Sequence, residues 1–251
     1  MALRHGAALL TSALLGACGG GGGDSGTTPA QPAGPTVAGW YVGTTTTGGF
    51  FDALILDNGR IYGMLGTGAA MQKILVGTGT TTASGFNTTS GALVDTQSGL
   101  TSASAVATLT GKPKTSIEGS VTGAGVAATI ASNYRTAFED TPSLANVAGS
   151  YLGNIAGLGY GGMNLTLTVS PNGTFSGTTG SGCQHSGTLS VNASANVYDV
   201  TLSFVGCTKD GRMTGHALWQ PATGAAPARL AMFASNNVYT DAWFYLGHKQ
   251  P

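Results

Sequence analysis

Cys183 and His185 stand two residues apart, with Cys207 and His216 further along the chain. Two thiols and two imidazoles suit zinc, which takes sulfur and nitrogen donors at the corners of a tetrahedron. The same thiols can instead close a disulfide if the chain is exported to an oxidising compartment. His185, His216 and His248 would each need a nucleophile and an orienting acid to catalyse anything. Asp199, Asp210 and Asp241 are at hand and Ser is abundant. Neither a Gly-x-Ser-x-Gly elbow nor a His-Glu-x-x-His helix occurs, and Asp210-Gly211 reads as a turn. Asp52 and Asp57 fall in one hairpin, whereas carboxylates for glycoside chemistry must face each other across a cleft. No catalytic residue is therefore expected.

The elements that carry these residues read as β almost throughout. Met163, Leu165, Leu167 and Val169 alternate with Asn164, Thr166, Thr168 and Ser170. That period of two gives an apolar face and a polar face. Ser170-Pro171-Asn172-Gly173 then turns the chain, because Pro presets φ and Gly tolerates positive φ. Tyr198, Val200, Leu202 and Phe204 alternate in the same way. Threonine-rich stretches such as 44–47 and 80–82 favour strand over helix. The one helical prospect is the bridge 134–148. By the same alternation Met213, Ala217 and Trp219 share one face of their strand and His216 takes the other, which separates His216 from the two cysteines. His185 reads as an ordinary polar strand residue.

The plan is written twice. Gly39-Trp40-Tyr41-Val42-Gly43 matches Gly149-Ser150-Tyr151-Leu152-Gly153, and the hairpin around Asn58-Gly59 matches the one around Asn172-Gly173. A period this long indicates duplicated domains rather than a solenoid. The expectation is all-β, with two tandem antiparallel domains of about eight short strands each, as up-and-down barrels or sandwiches. The first spans 37–140, a linker 141–148, and the second 149–251. The opening Gly-x-Tyr-x-Gly, strand, Asn-Gly, strand resembles the layout of small avidin- and lipocalin-type barrels. That resemblance implies a closed barrel and transfers no ligand-binding residue.

Composition narrows the function. Charged residues are 8% of 251, against about 25% in an ordinary soluble domain. Lys+Arg and Asp+Glu are 10 each, so no basic stripe exists to displace counterions from nucleic acid. Near the start, Arg4 precedes a short apolar run at 7–15, too short to span a bilayer. It ends in Leu15-Gly16-Ala17-Cys18, which resembles the bacterial lipobox. The resemblance implies a signal peptide at 1–17, cleavage before Cys18 and lipidation of that cysteine. Residues 18–36 are rich in Gly and Pro and form a tether. By the sorting rule of that family, a Gly at position 19 rather than Asp implies the outer membrane.

Export settles the sulfur chemistry in favour of a Cys183–Cys207 disulfide, with no metal and no cofactor. A straight ladder pairing 183 with 207 would set Leu189 opposite Thr201. The apolar pattern wants Leu189 and Val191 to share a face with Val200 and Leu202, which requires an odd sum of partner numbers, so the two demands differ by one residue and a β-bulge, most simply at Gly206, reconciles them. Trp40, Trp219 and Trp243 begin or end strands, as plugs at barrel ends or as stacking surfaces for a sugar. Tyr160, Tyr239 and Trp243 are the expected contacts to a partner. The functional expectation is a lipoprotein anchored through Cys18 and acting as a binding module for a protein or glycan, not for nucleic acid. An envelope hydrolase, or a small-ligand carrier using the barrel interior, is the alternative. Mass spectrometry of the mature N-terminus should find Cys18 acylated, and Cys18→Ser should move the protein from the membrane to the soluble fraction. A mature chain cleaved elsewhere would remove the anchor from this reading.

Overall fold

The computed structural model describes residues 35–68, 70–96, 101–102, 104–123, 125–157, 160–193, 196–207 and 210–251, with backbone alone at 102 and 160–162. The lipobox, Cys18 and most of the tether lie outside the described residues. Two antiparallel barrels follow each other along the chain. The first comprises β1 (Gly39–Thr45), β2 (Phe50–Ile55), β3 (Arg60–Thr67), β4 (Ala70–Thr81), β5 (Gly85–Asp95), β7 (Val106–Lys112), β8 (Ser116–Gly123) and β9 (Val126–Tyr134). Each pairs with the next, and β9 returns to β1 to close the ring. The two-residue β6 (Thr101–Ser102) pairs with the end of β5 that β7 leaves uncovered. The second is a closed ring of β10 (Gly149–Gly157), β11 (Tyr160–Val169), β12 (Thr174–Thr179), β13 (Gln184–Val191), β14 (Tyr198–Val205), β15 (Gly211–Gln220), β16 (Arg229–Ser235) and β17 (Ala242–Lys249). Both are up-and-down barrels, so each sheet closes on itself.

Alternation builds both interiors. In β11 Leu165, Leu167 and Val169 are buried while Asn164, Thr166 and Thr168 are exposed. In β14 Tyr198, Val200, Leu202 and Phe204 point inward. The first interior is filled by residues such as Tyr41, Phe51, Ile61, Leu75, Phe86 and Ile117.

The two barrels share small devices, which accounts for their matching sequence signals. The Tyr41 hydroxyl donates to the carbonyl of Val37 at 3.0 Å, and that of Tyr151 to Val147 at 2.8 Å. Each ties the chain just before the barrel to its first strand. Gly59 (φ 80°) and Gly173 (φ 85°) turn the corresponding hairpins in a conformation that glycine adopts without strain. At each turn the preceding asparagine accepts a backbone N–H two residues ahead, Asn58 from Arg60 at 3.1 Å and Asn172 from Thr174 at 3.0 Å.

Between the barrels the chain makes a 3-10 turn (Thr136–Glu139) and one turn of α-helix, α1 (Leu144–Val147). Asn196 fastens this bridge to the second barrel, its amide donating to the carbonyls of Ala137 and Trp219, both at 2.9 Å. Val147 is fully buried in the second core, so that core begins before β10.

The barrels also meet through their outer faces. In β2 Ala53 and Ile55 point into the first interior, while Leu54 points out to the seam. Ile74 and Val76 flank Leu75 in the same way, and Ala92 and Val94 flank Leu93. From the second barrel Leu218, Phe233 and Phe244 face outward into the same cluster. These strands are apolar on both faces because both faces are covered.

Close approach of strands fixes some glycines by size alone. A Cβ on Gly153 would lie 2.1 Å from the carbonyl oxygen of Leu246, whereas one on Gly180 would meet nothing within 4 Å. Gly153→Ala should lower stability by about 1–3 kcal/mol through overpacking. Gly180→Ala should be neutral or slightly stabilising. Urea unfolding of the two variants side by side checks this, and equal midpoints would refute it.

Candidate functional site

An open groove of about 550 Å³ lies along the margin of the seam. Its floor is the outer face of β10, β11 and β17. Leu152 pairs with His248, Asn154 with Leu246 and Ala156 with Phe244, and Asn154 also pairs with Asn164. Direct partners in an antiparallel ladder share a face, so these side chains form one surface. Ala70, Met71 and Thr96 of the first barrel make the opposing wall. The Thr96 hydroxyl donates to the carbonyl of Met71 at 3.0 Å, which holds the edge of that wall. Leu152 is 48% exposed, a large apolar side chain left open to solvent. Among the described residues of the lining, His248 is the only titratable side chain. The groove therefore offers a mixed surface on which the amides of Asn154 and Asn164 and the imidazole of His248 stand beside Leu152 and Leu246.

Two polar clusters lie inside the seam. In one, the Trp40 indole N–H donates to Asp52 Oδ1 at 2.6 Å. The Arg229 guanidinium of the second barrel sits 5.5 Å over the Trp40 ring, and its Nε donates to Gln220. These groups border a small cavity of about 20 Å³. Burial pushes the Asp52 carboxyl up to about 6, against the lowering effects of the Trp40 hydrogen bond, Arg229 and Arg135.

In the other, His216 stands between the barrels. Its Nδ1 is 3.1 Å from the Tyr62 hydroxyl, and its Nε2 is 3.3 Å from Asp199 Oδ1. Burial lowers the His216 pKa, with Asp199 opposing and Arg60 reinforcing the shift. Aspartate, histidine and hydroxyl in a row is the order of a nucleophile relay. Here the hydroxyl belongs to Tyr62, which is 1% exposed and whose pKa is pushed up to about 12, chiefly by burial. A group that neither ionises readily nor meets solvent is no nucleophile, so the row acts as a clamp across the seam.

The expected partner contacts fare differently. Tyr239 is only 9% exposed, not a surface anchor. Its hydroxyl accepts from Arg60 Nη1 at 3.1 Å, and Arg60 also lies 5.8 Å over its ring. Its backbone sits at φ 55°, held by a turn in which Asn236 Oδ1 accepts the N–H of Thr240 at 3.0 Å. Trp243 is 1% exposed because its place in β17 points it, with Tyr245, into the second interior. Neither residue can meet a partner as placed. The Tyr160 side chain lies outside the described residues. Trp40 lies in the seam instead of plugging a barrel end.

The sulfur pair is a disulfide, Cys183–Cys207, with Cα atoms 4.6 Å apart. The β13–β14 ladder sets Leu189 opposite Val200, an odd register of the kind the apolar pattern asks for, and runs out to Gln184 opposite Val205. Gly206 at φ 71° then absorbs the extra residue and brings Cys207 back to Cys183. His185 is an interior residue, not a polar surface one, at 1% exposure. Its Nε2 lies 3.2 Å from Cys183 Sγ, and its ring packs 5.7 Å from that of Trp243. Burial lowers its pKa to about 4.

Comparison with known families, characterised proteins and solved structures finds no match. Function has to be read from these sites alone.

Asp52 and His216 respond to acid with opposite signs. An acid with a raised folded pKa contributes stability that is full below its ordinary value of 3.8 and lost as pH rises through about 6. A histidine with a lowered folded pKa contributes stability above its ordinary 6.5 that is lost as pH falls. Asp52→Asn keeps an oxygen for the Trp40 N–H and removes the first effect. It should raise stability at about pH 7 by on the order of 2 kcal/mol, after allowance for partial screening. It should also steepen the loss on acidification to about pH 4.5, since the histidine effect is then unopposed. Denaturant titrations of both proteins at both pH values check this; parallel profiles would refute it.

Proposed function

We propose that this chain is an outer-membrane lipoprotein, anchored through Cys18, whose paired barrels form a binding module. The anchor rests on Leu15-Gly16-Ala17-Cys18, and the observation that carries the binding module is the groove at the seam margin, where Leu152 stays exposed beside Asn154, Asn164 and His248. Pockets that bind ligands combine an apolar lining with a few placed polar groups. Two exposed amides and one imidazole beside an apolar side chain fit an uncharged ligand that hydrogen-bonds, such as a neutral glycan or an extended segment of a partner protein. The packed interiors favour this groove over the barrel lumen as the place for a ligand. The burial of Tyr62 weighs against a hydrolase built on His216.

The test is binding of the mature protein to arrays of neutral oligosaccharides and uncharged peptides, beside a variant altered only in the groove. Leu152→Arg should weaken any binding on the order of tenfold or more while leaving the melting temperature nearly unchanged, because that side chain is half exposed. Binding that ignores the substitution would overturn the groove. Hydrolysis of an arrayed ligand would overturn the module in favour of the enzyme.

A further inference from the structure

We infer that the disulfide mouth of the second barrel is a zinc site once its sulfur–sulfur bond is reduced, with Cys183, Cys207 and His185 as ligands. The donor atoms of these three residues lie within 4.8 Å of one another. Cys183 and His185 are two residues apart on adjoining inward positions, so they present donors to the same side. Zinc bonds of about 2.3 Å to sulfur and about 2.0 Å to nitrogen, set tetrahedrally, place sulfur and nitrogen roughly 3.5 Å apart and two sulfurs roughly 3.8 Å apart. The Cys183 Sγ to His185 Nε2 separation of 3.2 Å is already close to such an edge.

The remaining edges need only Cys207 to move. Its sulfur must withdraw from bonding distance, and breaking the disulfide allows that. Cys207 is half-buried, follows the glycine turn at Gly206 and lies beyond the last ladder pair. Its backbone N–H donates to Asp210 Oδ1 at 3.1 Å, which keeps the residue turned towards the mouth. The His185 ring is flanked by those of Phe204 and Trp243, with centroids 6.4 and 5.7 Å away. His216 takes no part, because it lies on the outer face of β15 against Tyr62.

The chemistry balances with a dithiol as reductant. Two electrons and two protons pass from the dithiol to the disulfide, giving two protein thiols and the oxidised, disulfide form of the reductant. Zinc then takes both sulfurs as thiolates, releasing the two thiol protons, and the imidazole nitrogen as a neutral donor. Water fills the fourth position. The metal thus replaces the covalent staple between β13 and the loop after β14 when the compartment turns reducing.

Cobalt(II) serves as the optical probe. The full mature protein is reduced anaerobically, freed of reductant and titrated with cobalt(II), then with zinc. The reduced protein should bind one equivalent with a thiolate-to-cobalt charge-transfer band that zinc abolishes, while the oxidised protein shows none. Zinc should also recover thermal stability lost on reduction. His185→Ala should weaken cobalt binding on the order of tenfold or more, and Cys183→Ser should remove the band. The inference is overturned if the reduced protein gives no band or if His185→Ala binds cobalt unchanged. It is equally overturned if reduction abolishes the near-ultraviolet circular dichroism and added zinc does not restore it.

Discussion

A barrel strand with apolar residues on both faces has to be covered twice, once by the barrel interior and once from outside. This chain carries several such strands, at Ala53-Leu54-Ile55, Ile74-Leu75-Val76, Ala92-Leu93-Val94, Met232-Phe233-Ala234 and Trp243-Phe244-Tyr245. With 8% charged residues it has little means of masking an apolar outer face. Each barrel supplies the cover the other lacks. Burying a Leu or Phe side chain contributes about 1.5–3 kcal/mol, so Leu54, Ile74, Val76, Phe233 and Phe244 together make separation of the barrels costly.

That seam explains why the polar groups most suggestive of chemistry are structural. Asp52, Tyr62 and His216 sit on outward positions of their strands, where a lone barrel would show them to water. Against a second barrel they lose water and need partners from the protein. Each has one: Trp40 for Asp52, His216 for Tyr62, Asp199 for His216. The contacts between Tyr62 and His216, Arg60 and Tyr239, and Arg229 and Trp40 all cross from one barrel to the other. Directional pairs of this kind fix the register of two surfaces that apolar contact alone would let slide.

Sequence reasoning reached whatever is local. Turn glycines, the period of two and the repeated tyrosine opening are each decided within about ten residues, and the strands they imply are present. The disulfide is legible from the two cysteines that remain beside Cys18, and its one-residue offset at Gly206 from the apolar pattern of the two strands that carry them. The seam escaped because alternation was read as one apolar face per strand. The signal was there in the unbroken apolar triplets, which a strand wet on one side does not need. Tyr239 and Trp243 are buried where the sequence reading expects them exposed. Nearness to a hairpin end suggested exposure, but the parity of Trp243 with Tyr245 points it inward, and the apolar surroundings of Tyr239 belong to the seam. His185 was misread because a polar residue type outweighed its parity with Cys183 and Leu189.

The groove is the place where two-sided burial gives out. Along β10 and β17 the outward pairs pass from Ala156 and Phe244, both buried, through Asn154 and Leu246 to Leu152 and His248, both exposed. The same surface that is sealed at one end is open at the other, so the chemistry of the seam continues into solvent as an apolar strip with polar edges. A ligand of the kind proposed would touch β10, β11 and β17 of one barrel and the strand ends at Met71 and Thr96 of the other. Its binding energy then depends on the two barrels keeping their arrangement, and the cross-barrel clamps at Tyr62–His216 and Arg229–Trp40 become part of what shapes the site. A substitution deep in the seam can therefore alter binding without touching the ligand, by shifting one wall of the groove against the other.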